Sequence, residues 1–400
     1  MILPAPTHSL VLADWTHTMS RSVLRQMIAV TSRPGILSFA GGLPDPALFP
    51  TADYAAALQS VLAADPKALQ YGPPLASLKA HIVGLMAERG VTCTPEQVFL
   101  TTGAQQGLDI LTRLFLNPGG EVLLEQIVYP GIQQTIAPYR PHILPIATNL
   151  ETGLDVDAVA GYLAEGARPA FLYVIPDAHN PLGVSVSPQK RQRLVELARA
   201  YGLPIVEDDP YGFLHYDAHS EPPLRALDDE WVFYLGSFSK ILAPALRLGW
   251  MIAPEALIAK LTVIKEAGDL ESSALTQRAV AAYLDAGLLP AHLEMLRGEY
   301  GRRRDAMLQA LYRHFPAEAQ WTVPSGGMFV WVELAAGMDT TALLETAVTQ
   351  SQVAFIPGAA FTIPGHTAPN CLRLNFSNCT PDLIEEGIAR LANIIQQASE

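Results

Sequence analysis

The 400-residue sequence predicts an α/β protein in which a large sheet domain is joined to a smaller α+β domain, and three observations carry that prediction. From about residue 95, short β-type runs alternate with amphipathic helical runs, the order expected of a sheet covered by helices. After about residue 275 this alternation gives way to a long helical stretch, a group of strands and a closing helix. The length also exceeds what one small core requires.

The elements follow in order. Residues 1–50, through GILSFAGGLPDPALFP, are rich in Gly and Pro and read as an arm and a segment running between the lobes. Residues 51–275 form the expected large domain. There VFLTT, EVLLEQIVY, HILPI, AFLYVIP, PIVEDD and WVFYLGSF read as buried strands. Several are continuously apolar, as in a parallel sheet with both faces covered. AQQGLDILTRLFLN, LDVDAVAGYLAEGA and SPQKRQRLVELARAYG read as helices, and the last opens on Ser187-Pro188 and closes at Gly202, as start and stop signals should. Residues 276–400 form the smaller domain, helical from about Leu275 to Phe315, with strands in MFVWVEL, VAFIPG and CLRLNFS and a final helix, PDLIEEGIARLANIIQQ. No internal repeat or low-complexity tract interrupts the chain.

Composition excludes several functions. The 26 basic and 39 acidic side chains leave a charge of −13, which argues against a nucleic-acid partner. The basic cluster in GEYGRRRDAML reads as a solvated helix face. No apolar run reaches the roughly 20 residues a membrane span needs. The start, MILPAPTHSLVLADW, has neither a basic n-region nor a small-residue cleavage site and reads as an arm of a cytoplasmic protein. Cys93, Cys371 and Cys379 are odd in number and lack CxxC spacing, so neither a disulfide framework nor a metal site is expected. GxGxxG after the first strand, GxxxxGK[ST], HExxH and GxSxG are all missing.

Lys240 is the residue that composition does not explain. The chain has six lysines, and Lys67, Lys79, Lys190, Lys260 and Lys265 sit on stretches where an ammonium reaches water. From Trp231 to Ala253, however, the only charged residue besides Lys240 is Arg247. A lysine buried there must be paired, neutralised or covalently used. In a parallel α/β sheet, a site draws its members from loops at the carboxyl ends of successive strands. TTGAQQG offers the backbone N–H groups of Gly103, Ala104 and Gln105 at a helix N-terminus, suited to an anion. PDAHNPLG offers Asn180, EDDPYG offers Asp208 and Tyr211, and SFSKILAPALR offers Ser237, Ser239, Lys240 and Arg247. An anion nest, a carboxylate, an amide, a phenol and an amine together suit a phosphorylated aldehyde cofactor carrying a pyridine ring.

With these motifs in place, the chain closely resembles the fold-type I, pyridoxal-phosphate-dependent class I/II aminotransferases, and within them the 2-aminoadipate and kynurenine aminotransferase branch. That branch also resembles the C-terminal half of MocR-type regulators. The resemblance runs from SFAGGLPDPALFP through LQYGPP, TTGAQQGLD, NPLG, EDDPYG, SFSK and GGMFVW to LRLNFS. It implies a mainly parallel, mixed sheet flanked by helices plus a smaller α+β domain, with pyridoxal 5′-phosphate as cofactor. It further implies ping-pong transfer of an amino group from an L-α-amino acid to a 2-oxo acid, with 2-oxoglutarate expected as acceptor.

Carried over by position, it makes Lys240 the Schiff-base lysine and proton carrier and Asp208 the partner of the pyridine nitrogen. Tyr129 would stack on the ring, while Asn180 and Tyr211 bond its phenolic oxygen. Gly103, Ala104, Gln105, Ser237, Ser239 and Arg247 would hold the phosphate, and Gly42, Asn180 and Arg373 the substrate, Arg373 through its α-carboxylate. Tyr71 would reach the other subunit's cofactor in a homodimer with shared sites.

Ala104, Leu182, Ala178-His179 and the missing proline before Tyr129 depart from the family pattern and bear on the side-chain pocket. Arg21 or Arg25 could read a distal carboxylate. His179 and His215 read as satisfied structural histidines. The other readings are a β-eliminating lyase using the same cofactor, and a MocR-type sensor. The sensor would need a basic winged-helix domain, for which SFAGGLPDP, reached by residue 45, leaves no room.

Overall fold

The computed structural model describes residues 11–18, 35–216 and 220–399. In chain order the elements begin with β1 (Leu37–Ser38), α1 (Thr51–Ala64), α2 (Ala76–Glu88), β2 (Val98–Thr101), α3 (Ala104–Phe115), β3 (Glu121–Glu125), α4 (Pro130–Ile136) and β4 (His142–Ile146). A small hairpin, β5 (Thr148–Asn149) and β6 (Gly153–Leu154), precedes α5 (Val156–Ala164), β7 (Leu172–Val174), α6 (Pro188–Tyr201), β8 (Ile205–Asp208), α7 (Leu224–Leu227), β9 (Val232–Ser237) and β10 (Gly249–Ile252). Next come α8 (Ile258–Asp269), α9 (Ala274–Asp285) and α10 (Leu289–His314), then β11 (Gln320–Trp321), β12 (Phe329–Glu333) and α11 (Thr340–Gln350). The chain closes with β13 (Val353–Ala354), β14 (Ile356–Pro357), β15 (Cys371–Asn375) and α12 (Pro381–Ser399).

Seven strands form the large sheet in the order β2-β10-β9-β8-β7-β3-β4. The pairings from β9 through β8, β7 and β3 to β4 are parallel. β10 runs antiparallel to both β2 and β9, so the sheet is mixed. Two antiparallel steps restore direction, and the carboxyl ends of β2 and β9 therefore open on the same edge as those of β8, β7 and β3. β10 lies inside the apolar run that carries Lys240, and continuous hydrophobicity conceals both a turn and a reversal there.

Alternate residues of each strand feed two cores. Leu123, Leu172, Val174, Ile205 and Val232 pack with Val159 and Leu163 of α5 and Leu194 and Ala198 of α6. Val122, Leu124, Tyr173, Val206 and Phe233 pack with Leu108 and Leu111 of α3. Each fully buried Leu, Val or Ile contributes roughly 1.5–3 kcal/mol, enough in sum to define the sheet. The helices stop where local chemistry requires: Asp155 accepts from Asp157 N and Ala158 N at the start of α5, and Gly202 ends α6 in the left-handed region at φ 66°.

The second, antiparallel sheet has the order β11-β12-β15-β14. Residues 37–45 run along it: β1 pairs with β13, Asn375 N donates to Phe39 O at 2.8 Å, and Ser377 Oγ donates to Leu43 O at 2.9 Å. That course carries the GGLP loop to the edge of the first sheet.

Some sequence expectations require correction. The helical stretch from Leu275 to Phe315 is two helices, α9 and α10, separated at Gly287. VAFIPG splits into two short strands, β13 and β14. The basic cluster is not wholly solvated. Arg302 is exposed, but Arg303 turns inward and binds Asp45 at 2.8 Å and Glu299 at 2.7 Å. Lys265 is also buried, held by Asp269 at 2.7 Å and Gln106 at 2.8 Å. In both cases carboxylates offset the desolvation cost: Asp269 and Glu299 from one helical turn away, and Asp45 from 258 positions away in sequence.

Candidate active site

A cavity of about 980 Å³ opens where the strand ends of the large sheet meet the GGLP loop and the second sheet. Lys240 lies three residues beyond β9, on a turn closed by Leu242 N donating to Phe238 O at 2.8 Å. Its Nζ donates to the carbonyl of Gly42 at 2.6 Å. Burial, then Arg373 and Arg247, bring the amine down to about 8. Among the described residues no carboxylate pairs with it, so near neutrality it exists partly as the free base.

Asp208 ends β8 and lines the cavity. Its Oδ2 accepts from Tyr173 Oη at 2.8 Å, and Oδ1 is buried without a protein hydrogen-bond partner. Burial raises the carboxyl to about 6, against the Tyr173 bond, which favours the ionised form. Asn180 and Tyr211 stand nearby. Arg373, on β15, donates through Nη1 to Asn180 Oδ1 at 2.7 Å and through Nη2 to Ala40 O at 2.6 Å. Its guanidinium lies 4.2 Å from the Phe329 ring centre and 4.9 Å from that of Phe361, and burial lowers it to about 10, still cationic at neutral pH. Burial holds the Tyr211 phenol well above its ordinary value.

The opposite wall suits an anion. Gly103, at φ 81°, turns the chain into α3, whose first residues, Ala104 and Gln105, line the cavity with Ser237, Ser239 and Arg247. A Cβ on Gly103 would stand 2.5 Å from Arg247 Nη2, so the turn must remain bare for the guanidinium to fit. Tyr129 Oη donates to Gln105 Oε1 at 3.2 Å, and Gln105 Nε2 donates to Thr135 Oγ1 at 2.8 Å. Burial raises the Tyr129 phenol to about 12, which keeps it neutral.

The structure thus gathers Gly42, Ala104, Gln105, Tyr129, Asn180, Asp208, Tyr211, Ser237, Ser239, Lys240, Arg247 and Arg373 around one cavity, with Gly103 shaping its anion wall. Tyr71 is not among them: it is 76% exposed and does not line its own chain's cavity. Arg21 and Arg25 lie outside the described residues. His179 and His215 are buried beside carboxylates, 3.1 Å from Glu125 and 3.4 Å from Asp177 respectively. Sequence reasoning missed Tyr173, the two rings flanking Arg373, and Trp15, Gln133 and Gln134 on the cavity wall. Only Tyr173 left a signal, a hydroxyl inside an apolar strand that had to find a partner.

This arrangement fits pyridoxal phosphate on the structure's own terms. The partnerless Asp208 oxygen can accept from a pyridine N–H, the N-terminus of α3 with two serines and Arg247 can hold a phosphate, and a lysine of lowered pKa lines the same cavity. Fold and site together define a pyridoxal-phosphate enzyme of fold type I.

Residues 40–391 match the model of the aminotransferase class I and II family, and the chain belongs to it. It is 38% identical to the aromatic-amino-acid aminotransferase 1 of Thermococcus litoralis, over 95% of this chain and 92% of that protein. It is 39% identical to the 2-aminoadipate transaminase of Thermus thermophilus, over 94% of each. The solved structure of Pyrococcus horikoshii kynurenine aminotransferase, in complex with PMP, superposes with a TM-score of 0.91 at 36% identity, covering 97% of this chain and 98% of that one. The protein is a pyridoxal-phosphate-dependent transaminase. Among the described residues no helix is long and apolar enough to cross a membrane.

Proposed function

We propose that this transaminase moves the amino group of an L-α-amino acid with a large apolar or aromatic side chain to a 2-oxo acid, 2-oxoglutarate being the acceptor, by a ping-pong sequence of two half-reactions. The observation that carries the donor class is the distribution of charge in the cavity. Its described cations are Lys240, Arg247 and Arg373, whereas Trp15, Leu43, Ile356 and Phe361 supply apolar wall. The names of the relatives, which span aromatic amino acids, 2-aminoadipate and kynurenine, support a roomy pocket that takes more than one side chain.

When bound, the cofactor supplies a carbonyl that exchanges amino groups and a ring that draws electrons from the substrate's α-carbon. The chain's part is positioning and proton transfer. Asp208 Oδ1 would accept from the ring nitrogen. Asn180 and Tyr211 would donate to the ring's oxygen, Tyr129 would cover the ring, and the α3 N-terminus, Ser237, Ser239 and Arg247 would hold the phosphate. Arg373 grips the substrate α-carboxylate as a fork. Its contacts to Asn180 and Ala40 and its two flanking rings pre-set that fork before substrate arrives. Lys240, whose lowered pKa leaves part of it as the free base near neutrality, accepts and returns the substrate α-proton.

The exposed Tyr71 and Leu69, each 76% accessible, and α1, which buries no residue, support a homodimer in which Tyr71 reaches the partner's cofactor. Light scattering of the purified protein tests the dimer.

The enzymatic test is half-reaction spectroscopy. L-phenylalanine, L-leucine, L-2-aminoadipate and L-glutamate are added in turn, and conversion of the bound aldehyde form to the amine form is followed by absorbance. The proposal expects the apolar donors to convert the cofactor and 2-oxoglutarate to restore it. Release of ammonia and pyruvate from a β-substituted amino acid without an added oxo acid would favour the lyase reading. Failure of every amino acid to convert the cofactor would sink transamination by this chain.

A further inference from the structure

We propose that Tyr173 is a positioning residue that fixes the Asp208 carboxylate with one oxygen presented to the cofactor's pyridine nitrogen. The inference rests on the reading of Asp208 as the pyridine partner. Tyr173 lies on β7, beside β8, and its ring is fully buried in the core between the sheet and α3. It cannot swing to solvent. Its hydroxyl has one directed contact, to Asp208 Oδ2 at 2.8 Å. Asp208 is itself only 6% exposed, and its other oxygen, Oδ1, has no protein partner.

A carboxylate at a strand end can rotate about its terminal torsion, and either oxygen could then face the cavity. The Tyr173 bond selects one rotamer and leaves a single lone oxygen free. The neighbouring charge does not share this task. Asp209, next in the chain, is turned away and held by Arg89 at 3.1 Å and Tyr234 at 3.0 Å. Glu207, on the other side, accepts from Leu224 N at 2.6 Å and Arg225 N at 2.8 Å at the start of α7. Three consecutive carboxylates therefore have three separate partners, and Tyr173 is the one hydroxyl that serves Asp208.

The Asp209 charge adds to burial in raising the Asp208 carboxyl, and the phenols that face it are Tyr129, at the start of α4, and Tyr211, on its own loop. Both are neutral at physiological pH. Donation from Tyr173 favours the ionised carboxylate. Its removal should let Asp208 take up a proton at higher pH and lose its acceptor lone pair toward a protonated ring.

The test is a double-mutant cycle read by cofactor affinity, not by turnover. Apoprotein of the wild type, Tyr173→Phe, Asp208→Asn and the double variant is titrated with pyridoxal phosphate across pH 5 to 9. Tyr173→Phe is expected to weaken binding about tenfold at neutral pH and to move the acid limb of the affinity profile upward. In the Asp208→Asn background the same change should cost less than about threefold, because the acceptor it serves is gone. Replacing Tyr173 by 3-fluorotyrosine, a stronger donor of nearly the same shape, should move the acid limb the other way while leaving packing intact. Equal losses in both backgrounds, or an acid limb that neither replacement moves, would overturn the role of Tyr173 while leaving Asp208 as the pyridine partner. If Asp208→Asn alone does not weaken binding, both readings fall.

Discussion

Replacement of Arg373 by lysine separates substrate recognition from chemistry. Arg373 is 2% exposed, its two terminal nitrogens are already oriented by Asn180 and Ala40 at 2.7 and 2.6 Å, and two phenyl rings fix its plane. A lysine keeps the charge but loses the fork, the stacking and one of the two parallel bonds to a carboxylate. Hydrogen bonds to charged groups contribute about 1.5–3 kcal/mol each, and the bond to Asn180 also loosens. The combined loss is about 3–5 kcal/mol, or roughly 10²–10⁴ in kcat/KM. The assay compares single-turnover conversion of the bound cofactor by L-phenylalanine and by phenethylamine, which lacks the carboxylate. Arg373→Lys should depress the rate with the amino acid by that factor and alter the rate with the amine by no more than about threefold. Equal losses for the two would refute α-carboxylate recognition and make Arg373 a residue that only supports the site.

Other expectations follow from the same geometry. In cofactor-free protein the Lys240 amine titrates near 8, below its ordinary 10.5. Its protonated form therefore destabilises the fold at neutral pH, and this penalty fades as pH rises from about 8 to 10.5. Lys240→Met should raise the Tm of the apoprotein at pH 7, by the equivalent of about 1–3 kcal/mol, with the gap closing by about pH 10; the same variant should not complete a half-reaction. Gly131→Ala places a Cβ against the Tyr129 ring and 2.5 Å from Gln105 Oε1, so it should displace the covering tyrosine and weaken pyridoxal-phosphate binding at least about tenfold, with far-UV circular dichroism unchanged. Arg303→Met removes a buried cation from Asp45 and Glu299 and should lower stability by about 2–4 kcal/mol in urea titration. Because Asp45 follows the GGLP loop that meets Lys240, the same variant should also weaken substrate binding, seen as a higher KM.

What sequence alone determined is the chemistry carried by short segments. Periodicity and end signals located α6 between Ser187 and Gly202, and turn composition marked the loops bearing Gly103, Asn180, Asp208 and Lys240, because propensity, capping and φ preference act within a few residues. One lysine amid apolar neighbours exposed the site for the same reason: its desolvation cost is readable from its immediate surroundings. What only the tertiary structure decided is which distant group answers each buried one. Gly42 and Lys240 stand 198 positions apart, Asn180 and Arg373 193, and Asp45 and Arg303 258. The reversal of β10, the inward turn of Arg303 and the pairing of Tyr173 with Asp208 belong to the same class. Each depends on strand order and on the packing of elements against one another, and short-range pattern carries no record of a partner brought close by a sheet.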